Sequence, residues 1–213
     1  MKTPFSLAFA TIAVYFAASA TAATDVTWTG MPLTASSTSI RADGTLKYAY
    51  ARGNYTANGV EFVGVGDKII NTANCVVWEA SGGAGTSGAT APGDTESGGY
   101  KDILEHPWWA SAKGRKIQLK NLEVGKKYLV QMIAFRDDYT TQTATAPDGV
   151  AVIHYGGTDW EYGGSLSAEF TADAATEEFT ISYSGQALIN GIQVRELSSA
   201  EPVSQCGLIL ICK

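Results

Sequence analysis

The sequence predicts an all-β chain suited to a sandwich, and three observations predict it. Alternating and β-branched segments, separated by clusters of Gly, Asn, Asp and Pro, fill most of residues 25–197. Almost nothing reads as a long amphipathic helix. One late segment, EEFTISY, alternates cleanly with the period of a half-buried strand.

In chain order the expected strands are DVTWT (25–29), TLKYAYA (45–51), GVEFVGV (59–65), CVVW (75–78) and RKIQLK (115–120). KKYLVQMIAFR (126–136), VAVIH (150–154), LSAEFTA (166–172), EEFTISY (177–183) and ALINGIQVREL (187–197) follow. In EEFTISY the residues Phe179, Ile181 and Tyr183 face the core, and Glu178, Thr180 and Ser182 face water. In KKYLVQMIAFR both parities are largely apolar, Leu129, Ile133 and Phe135 against Tyr128, Val130 and Met132. A central strand covered on both sides is expected there. GYKDILEH reads as a short helix ended by Pro107. Residues 79–99 hold seven glycines in twenty-one positions and little apolar bulk, so a flexible loop is expected.

Residues 1–22 carry Lys2, an apolar run from Phe5 to Ala18, and A-x-A spacings at Ala18-Ser19-Ala20 and Ala20-Thr21-Ala22. They read as a cleaved secretory signal, the run being too short for a membrane span. A single domain over 23–197 is expected, with a disordered tail over 198–213 whose apolar patch Leu208 to Ile211 is too short to cross a bilayer. The chain has 21 Asp+Glu against 15 Lys+Arg and no basic stripe, which argues against nucleic acid and anionic membranes as partners. Cys75, Cys206 and Cys212 make an odd count with no zinc spacing, and Cys206 and Cys212 are near enough in sequence to pair.

Four stretches, GTLKYAYARGNYTANGVEF, GYKDILEHPWWAS, IQLKNLEVGKKYLVQMIAFRDD and GGSLSAEFTADAATEEFTISYSGQALINGIQVREL, resemble a secreted domain type abundant in planctomycetes, verrucomicrobia and related environmental bacteria. That type is similar to galactose-binding-like and malectin-like carbohydrate-binding domains. The resemblance spans Trp28 to Leu197 and is most specific at Leu119 to Gln131 and in the closing FTADAATEEFTI and LINGIQVRE. It implies a two-sheet antiparallel jelly-roll sandwich that holds polysaccharide or glycan, in some members with a structural calcium ion. It also implies secretion or display at the cell surface. Many members end in a Pro-Glu-Pro sorting signal, of which Glu201-Pro202 and the apolar patch match only a part.

Three loops carry the candidate chemistry. LEHPWWASAKG presents Trp108 and Trp109, either of which could stack on a sugar ring, and neighbouring residues after a proline rarely point the same way, so one ring is expected to be buried and Trp109 to be the exposed one. In RDDY, Asp137, Asp138 and Tyr139 offer acceptors for sugar hydroxyls, and Asp137 and Asp138 offer oxygen ligands for calcium, the one metal expected. A solvated turn held by an Arg136 ion pair is the alternative. HYGGTDWEYGGSL presents Trp160, with Tyr155 and Tyr162, either to stack on a sugar or to cap the sandwich. Counting strands as above puts HPWW, RDDY and the turn at 173–176 at one end, with NLEVG, TDWEY and SGQ at the other.

His106 and His154 are the two histidines, and neither accompanies a Gly-x-Ser-x-Gly elbow. Asp137, Asp138, Asp159 and Glu161 supply carboxylates of the kind a glycosidase uses, although sequence spacing does not set their separation in space. The sequence-based expectation is a secreted non-catalytic carbohydrate-binding module, not an enzyme, with no cofactor beyond a structural calcium. A structural or adhesive surface protein is the alternative, and a glycoside hydrolase or lyase the third reading.

Overall fold

The computed structural model describes residues 23, 25–66, 70–77, 84–111, 114–137, 142–153 and 160–198. The expected signal, the tail beyond Ser198 with Cys206 and Cys212, and Asp138, Tyr139, His154, Tyr155 and Asp159 lie outside these residues. The strands are β1 (Thr27–Pro32), β2 (Thr45–Ala51), β3 (Tyr55–Ala57), β4 (Val60–Gly64), β5 (Ile70–Asn71), β6 (Cys75–Val77), β7 (Ala84–Thr86) and β8 (Trp108–Ala110). They continue as β9 (Gly114–Lys120), β10 (Lys127–Ala134), β11 (Thr143–Thr145), β12 (Ala151–Ile153), β13 (Gly164–Thr171), β14 (Thr176–Tyr183), β15 (Ala187–Ile189) and β16 (Gly191–Leu197). One α-helix is present among the described residues, α1 (Gly99–Glu105), before β8.

Two sheets form the sandwich, in the orders β1-β13-β10-β16-β2-β4-β3 and β12-β11-β14-β9-β6-β5. A small third sheet, β15-β8-β7, lies beside them. Pairing is antiparallel except between β2 and β4, where Tyr50 faces Val63 in a parallel ladder. The fold class expected from sequence therefore holds. One apolar cluster draws on both large sheets, with Tyr128, Val130, Phe170 and Ile192 from the first and Ile117, Leu119, Phe179 and Ile181 from the second. Phe179 meets Trp28 and Phe170 edge-on, at centroid distances of 5.5 and 5.2 Å.

The first sheet is covered on its outer side too. Ile133 and Phe135 join Ile103, Leu104 and Tyr100 of α1 in a second cluster, which is why both faces of β10 are apolar. Towards the middle of the same outer face the cover is polar. Gln131 and Gln193 lie opposite each other on β10 and β16, and the Gln193 amide donates to Gln131 Oε1 at 2.7 Å. The Gln131 amide also donates to the Ser39 carbonyl, and Arg195 donates to the carbonyls of Ala42, Asp43 and Gly44. This clamp pairs the backbone of the irregular 39–44 segment, which has no ladder of its own.

Several elements depart from the expected list. Residues 84–86 of the expected flexible loop form β7, and the segment after them is tied down, with Glu96 accepting from the Ser37 N–H at 2.7 Å. ALINGIQVREL divides at Asn190, because residues 187–189 pair with β8 and residues 191–197 with β10 and β2. Close approach at the sandwich edge depends on glycine. A methyl at Gly30 or Gly164 would lie 2.8 or 2.7 Å from Val152, so β12 can fold against β1 and β13 only where these side chains are missing.

The strand β11 corrects the expected loop placement. Ala134 of β10 lies opposite Gly164 of β13, and Ile133 opposite Gly191 of β16, so the end of β10 and the starts of β13 and β16 share one end, called here the loop end. β11 and β12 form a hairpin across 146–150, two passes in place of the single strand expected at 150–154. One additional pass reverses every later connection. The TDWEY and SGQ connections therefore sit at the loop end with HPWW and RDDY, and the turn at 172–175 sits at the opposite end with NLEVG.

Candidate functional site

The loop end gathers residues 106–111, 114, 135–137, 160–163 and 184–190. Residue order along β8 decides which tryptophan is available. Trp108 is 3 % exposed, belongs to the inter-sheet core, and donates its indole N–H to the Gly66 carbonyl at 3.2 Å. Trp108 is the buried ring of the pair, with both its surface and its one polar group used inside the fold. Trp109, the next residue of the strand, points to the other side and is half-buried.

Gly85 of β7 lies directly opposite Trp109. A methyl on Gly85 would lie 3.0 Å from each of Cε2, Cζ2 and Nε1 of the indole, so the ring lies face-on over the glycine backbone. Any larger residue at position 85 would lift the ring. No local pattern marks this support, because β7 is three residues inside a glycine-rich segment.

The RDDY connection is anchored at Arg136 and at Asp137. Arg136 is 7 % exposed and donates to Gln186 Oε1 at 3.0 Å, joining this loop to the SGQ turn. Asp137 is exposed, and its Oδ2 accepts the Thr90 N–H at 2.7 Å, joining the loop to the segment after β7. Asp138 and Tyr139 lie outside the described residues. Among the described residues no three His, Cys, Asp or Glu side chains converge, so Asp137 is the one described ligand of the expected calcium pair and no metal chemistry is derived from it.

Trp160 is half-buried against the inter-sheet core, and its Cζ3 would meet a methyl on Gly164 at 3.1 Å. Its carbonyl accepts the Gly163 N–H at 2.8 Å, which fixes the turn that returns the chain to β13. Tyr162 donates to Asp94 Oδ1 at 2.5 Å, and that bond to the carboxylate, with some burial, pushes the phenol up to about 12. Glu161, one of the carboxylates considered for glycosidase chemistry, is exposed.

The structure also brings together residues that sequence reasoning missed. Tyr55 stacks on His106 at a centroid distance of 5.9 Å and an interplanar angle of 25°. His106 Nδ1 lies 2.6 Å from the Asp102 carbonyl, an acceptor only, so Nδ1 carries the proton there. Burial raises the Tyr55 phenol above its ordinary range. The two rings are 51 residues apart in sequence and no local pattern links them. Inside the mouth of the sandwich Arg115 is 6 % exposed, and burial pulls its guanidinium below the ordinary range while pushing the neighbouring Tyr183 phenol up.

No family model and no curated protein matches this chain. Solved structures do. A calcium binding mutant of Bacteroides uniformis beta-glucuronidase 2 matches at 12 % identity and a TM-score of 0.45, covering 71 % of this chain and 18 % of that one. A family GH115 4-O-methyl-alpha-glucuronidase with specificity for decorated arabinogalactans matches at 9 % identity and a TM-score of 0.32, covering 66 % and 20 %. A glycoside hydrolase family 43 arabinoxylan arabinofuranohydrolase from Bacillus subtilis, in complex with cellotetraose, matches at 13 % identity and a TM-score of 0.29, covering 68 % and 32 %. The chain spans less than a third of the length of each of these proteins. The expectation that the chain is not an enzyme is corrected on this finding, since the matched structures are those of glycoside hydrolases.

Proposed function

We propose that this is an exported carbohydrate-recognising β-sandwich domain whose ligand lies across the loop end, with Trp109 stacking on a sugar ring. The observation that carries the reading is the half-buried Trp109 indole laid flat over Gly85, a ring held in place by backbone and still open to solvent. A flat, preordered aromatic face suits the C–H face of a pyranose, at little entropic cost on binding. Trp160 and Asp137 lie at the same end, and Asp137 supplies an acceptor for sugar hydroxyls. Asp138 and Tyr139, next in the chain, extend the same acceptor set. Binding is the first step for a carbohydrate-binding domain and for a glycoside hydrolase alike, and the proposal concerns that step.

Affinity electrophoresis and a glycan array, run with and without calcium, test it on the processed protein. Retention by at least one polysaccharide is expected, weakened more than about tenfold by Trp109→Ala, the loss of about 1.4 kcal/mol or more of stacking. Reducing ends are counted in the same incubations, so that hydrolysis registers as well as binding. Retention by no glycan, or Trp109→Ala binding as tightly as the parent, sinks the proposal.

A further inference from the structure

At the edge of the sandwich, where β1 and the turn between β11 and β12 meet the middle of β14, an open groove of about 590 Å³ is lined by Ala23, Trp28, Pro147, Asp148, Glu178 and Phe179. Ala23 is 9 % exposed and belongs to the same apolar cluster as Trp28 and Phe179, so the chain enters the fold through this groove. Asp25 then takes a left-handed turn, with φ 55°, before β1 begins. Two carboxylates stand at the groove, and each uses one oxygen within the fold. Asp148 Oδ1 accepts the Val150 N–H at 3.1 Å, and Glu178 Oε1 pairs with Lys116 at 2.6 Å.

Of the two A-x-A spacings, Ala20-Thr21-Ala22 would place a signal-peptidase cut between Ala22 and Ala23. We infer that this cut creates an α-ammonium on Ala23 inside the groove, held by Asp148 and Glu178, so that processing on export completes this edge of the sandwich. The inference rests on the export reading above. In the reaction the Ala22–Ala23 C–N bond breaks, water supplies the oxygen of the new Ala22 carboxylate, and the Ala23 nitrogen takes up the protons. A neutral peptide N–H with one donor becomes a cation with three. The second oxygens of Asp148 and Glu178 match those donors, and a cation beside an apolar wall is favourable only when paired in this way. Lys116 and Asp25 are the other charged groups at hand, one already paired with Glu178 and the other on the incoming segment itself.

The test uses the full chain expressed with export and purified from the medium. Intact mass is expected to show a chain beginning at Ala23. Acylation of that α-amine by a slight excess of an N-terminus-selective reagent is then followed in the native and the urea-unfolded protein. Carboxylates that hold the proton on the amine deplete its nucleophilic form, so native labelling is expected to be about tenfold slower or more. The double variant Asp148→Asn with Glu178→Gln is expected to recover most of that rate. An uncleaved chain overturns both this inference and the export reading. A chain beginning elsewhere, or an Ala23 amine that labels equally fast folded and unfolded, overturns the inference alone.

Discussion

Asn190 ties α1 to the sandwich, and its removal is predicted to cost about 3 kcal/mol of stability. Asn190 is 0 % exposed and sits where the chain passes from β15 to β16. Its Oδ1 accepts the Phe135 N–H at 2.7 Å, and its amide donates to the carbonyls of Leu104 at 2.7 Å and Ile103 at 3.2 Å, in the last turn of α1. Asn190→Ala removes all three bonds. Ile103 keeps the His106 N–H, but Phe135 N–H and Leu104 C=O are left buried without these partners. A buried group stranded in this way costs about 1–3 kcal/mol, so two of them bring the loss to about 3 kcal/mol or somewhat more. For a domain of this size the melting temperature should fall by about 6–12 °C. Asn190→Asp should be worse than alanine, because it keeps the acceptor for Phe135 but turns a carboxylate oxygen on the Leu104 carbonyl. Urea unfolding, followed by tryptophan fluorescence and calorimetry, gives both numbers. A loss below about 1 kcal/mol for Asn190→Ala, or equal stability for Asn190→Asp and the parent, would refute the reasoning.

Two further outcomes follow from the electrostatics. Arg41 holds Asp43 below the usual carboxylate range, the Ser37 N–H and hydroxyl do so for Glu96, Lys127 for Glu169 and Lys126 for Glu196. Each folded-state value lies below the unfolded one, so the associated stability is complete above about pH 5 and is lost as pH falls through about 4 and lower. Urea midpoints should fall over that window, and by less in 1 M salt, which already screens the ion pairs. Midpoints that stay level from pH 7 to pH 3 would contradict this. Burial pushes the Cys75 thiol up to about 12, so peptide mapping after alkylation at pH 8 should find Cys75 unmodified in the folded chain and modified in the unfolded one.

How much of this was legible in the sequence depends on the length of each element. EEFTISY alternates over a whole strand, and Phe179, Ile181 and Tyr183 are buried as the period requires. KKYLVQMIAFR is apolar on both parities because one face meets the second sheet and the other meets α1. GYKDILEH forms its helix and stops before Pro107. The elements missed, β3, β5, β7, β8 and β11, have two or three residues each, too few for a period to register. What made them strands was pairing with partners far away in sequence, and local composition carries no record of that.

The cost of missing a short strand is not proportional to its length. In an antiparallel fold each strand reverses the chain, so the end at which a loop emerges depends on whether the number of preceding strands is odd or even. TATAPDGVAVI reads as one strand after a polar loop, yet Thr143–Thr145 and Ala151–Ile153 are two strands about a turn at 146–150. That single difference moves Trp160 from the end opposite Trp109 to the same end, and brings Gln186 to Arg136. The loop most visible in the sequence, HPWW, is set by the same distant pairing. Its outer ring is available because Gly85, in a segment that looked structureless, aligns opposite it, and its inner ring is unavailable because Gly66 takes its N–H. Residue types therefore marked the chemistry of the candidate site, whereas strand parity and one cross-strand glycine decided which of those residues can act together.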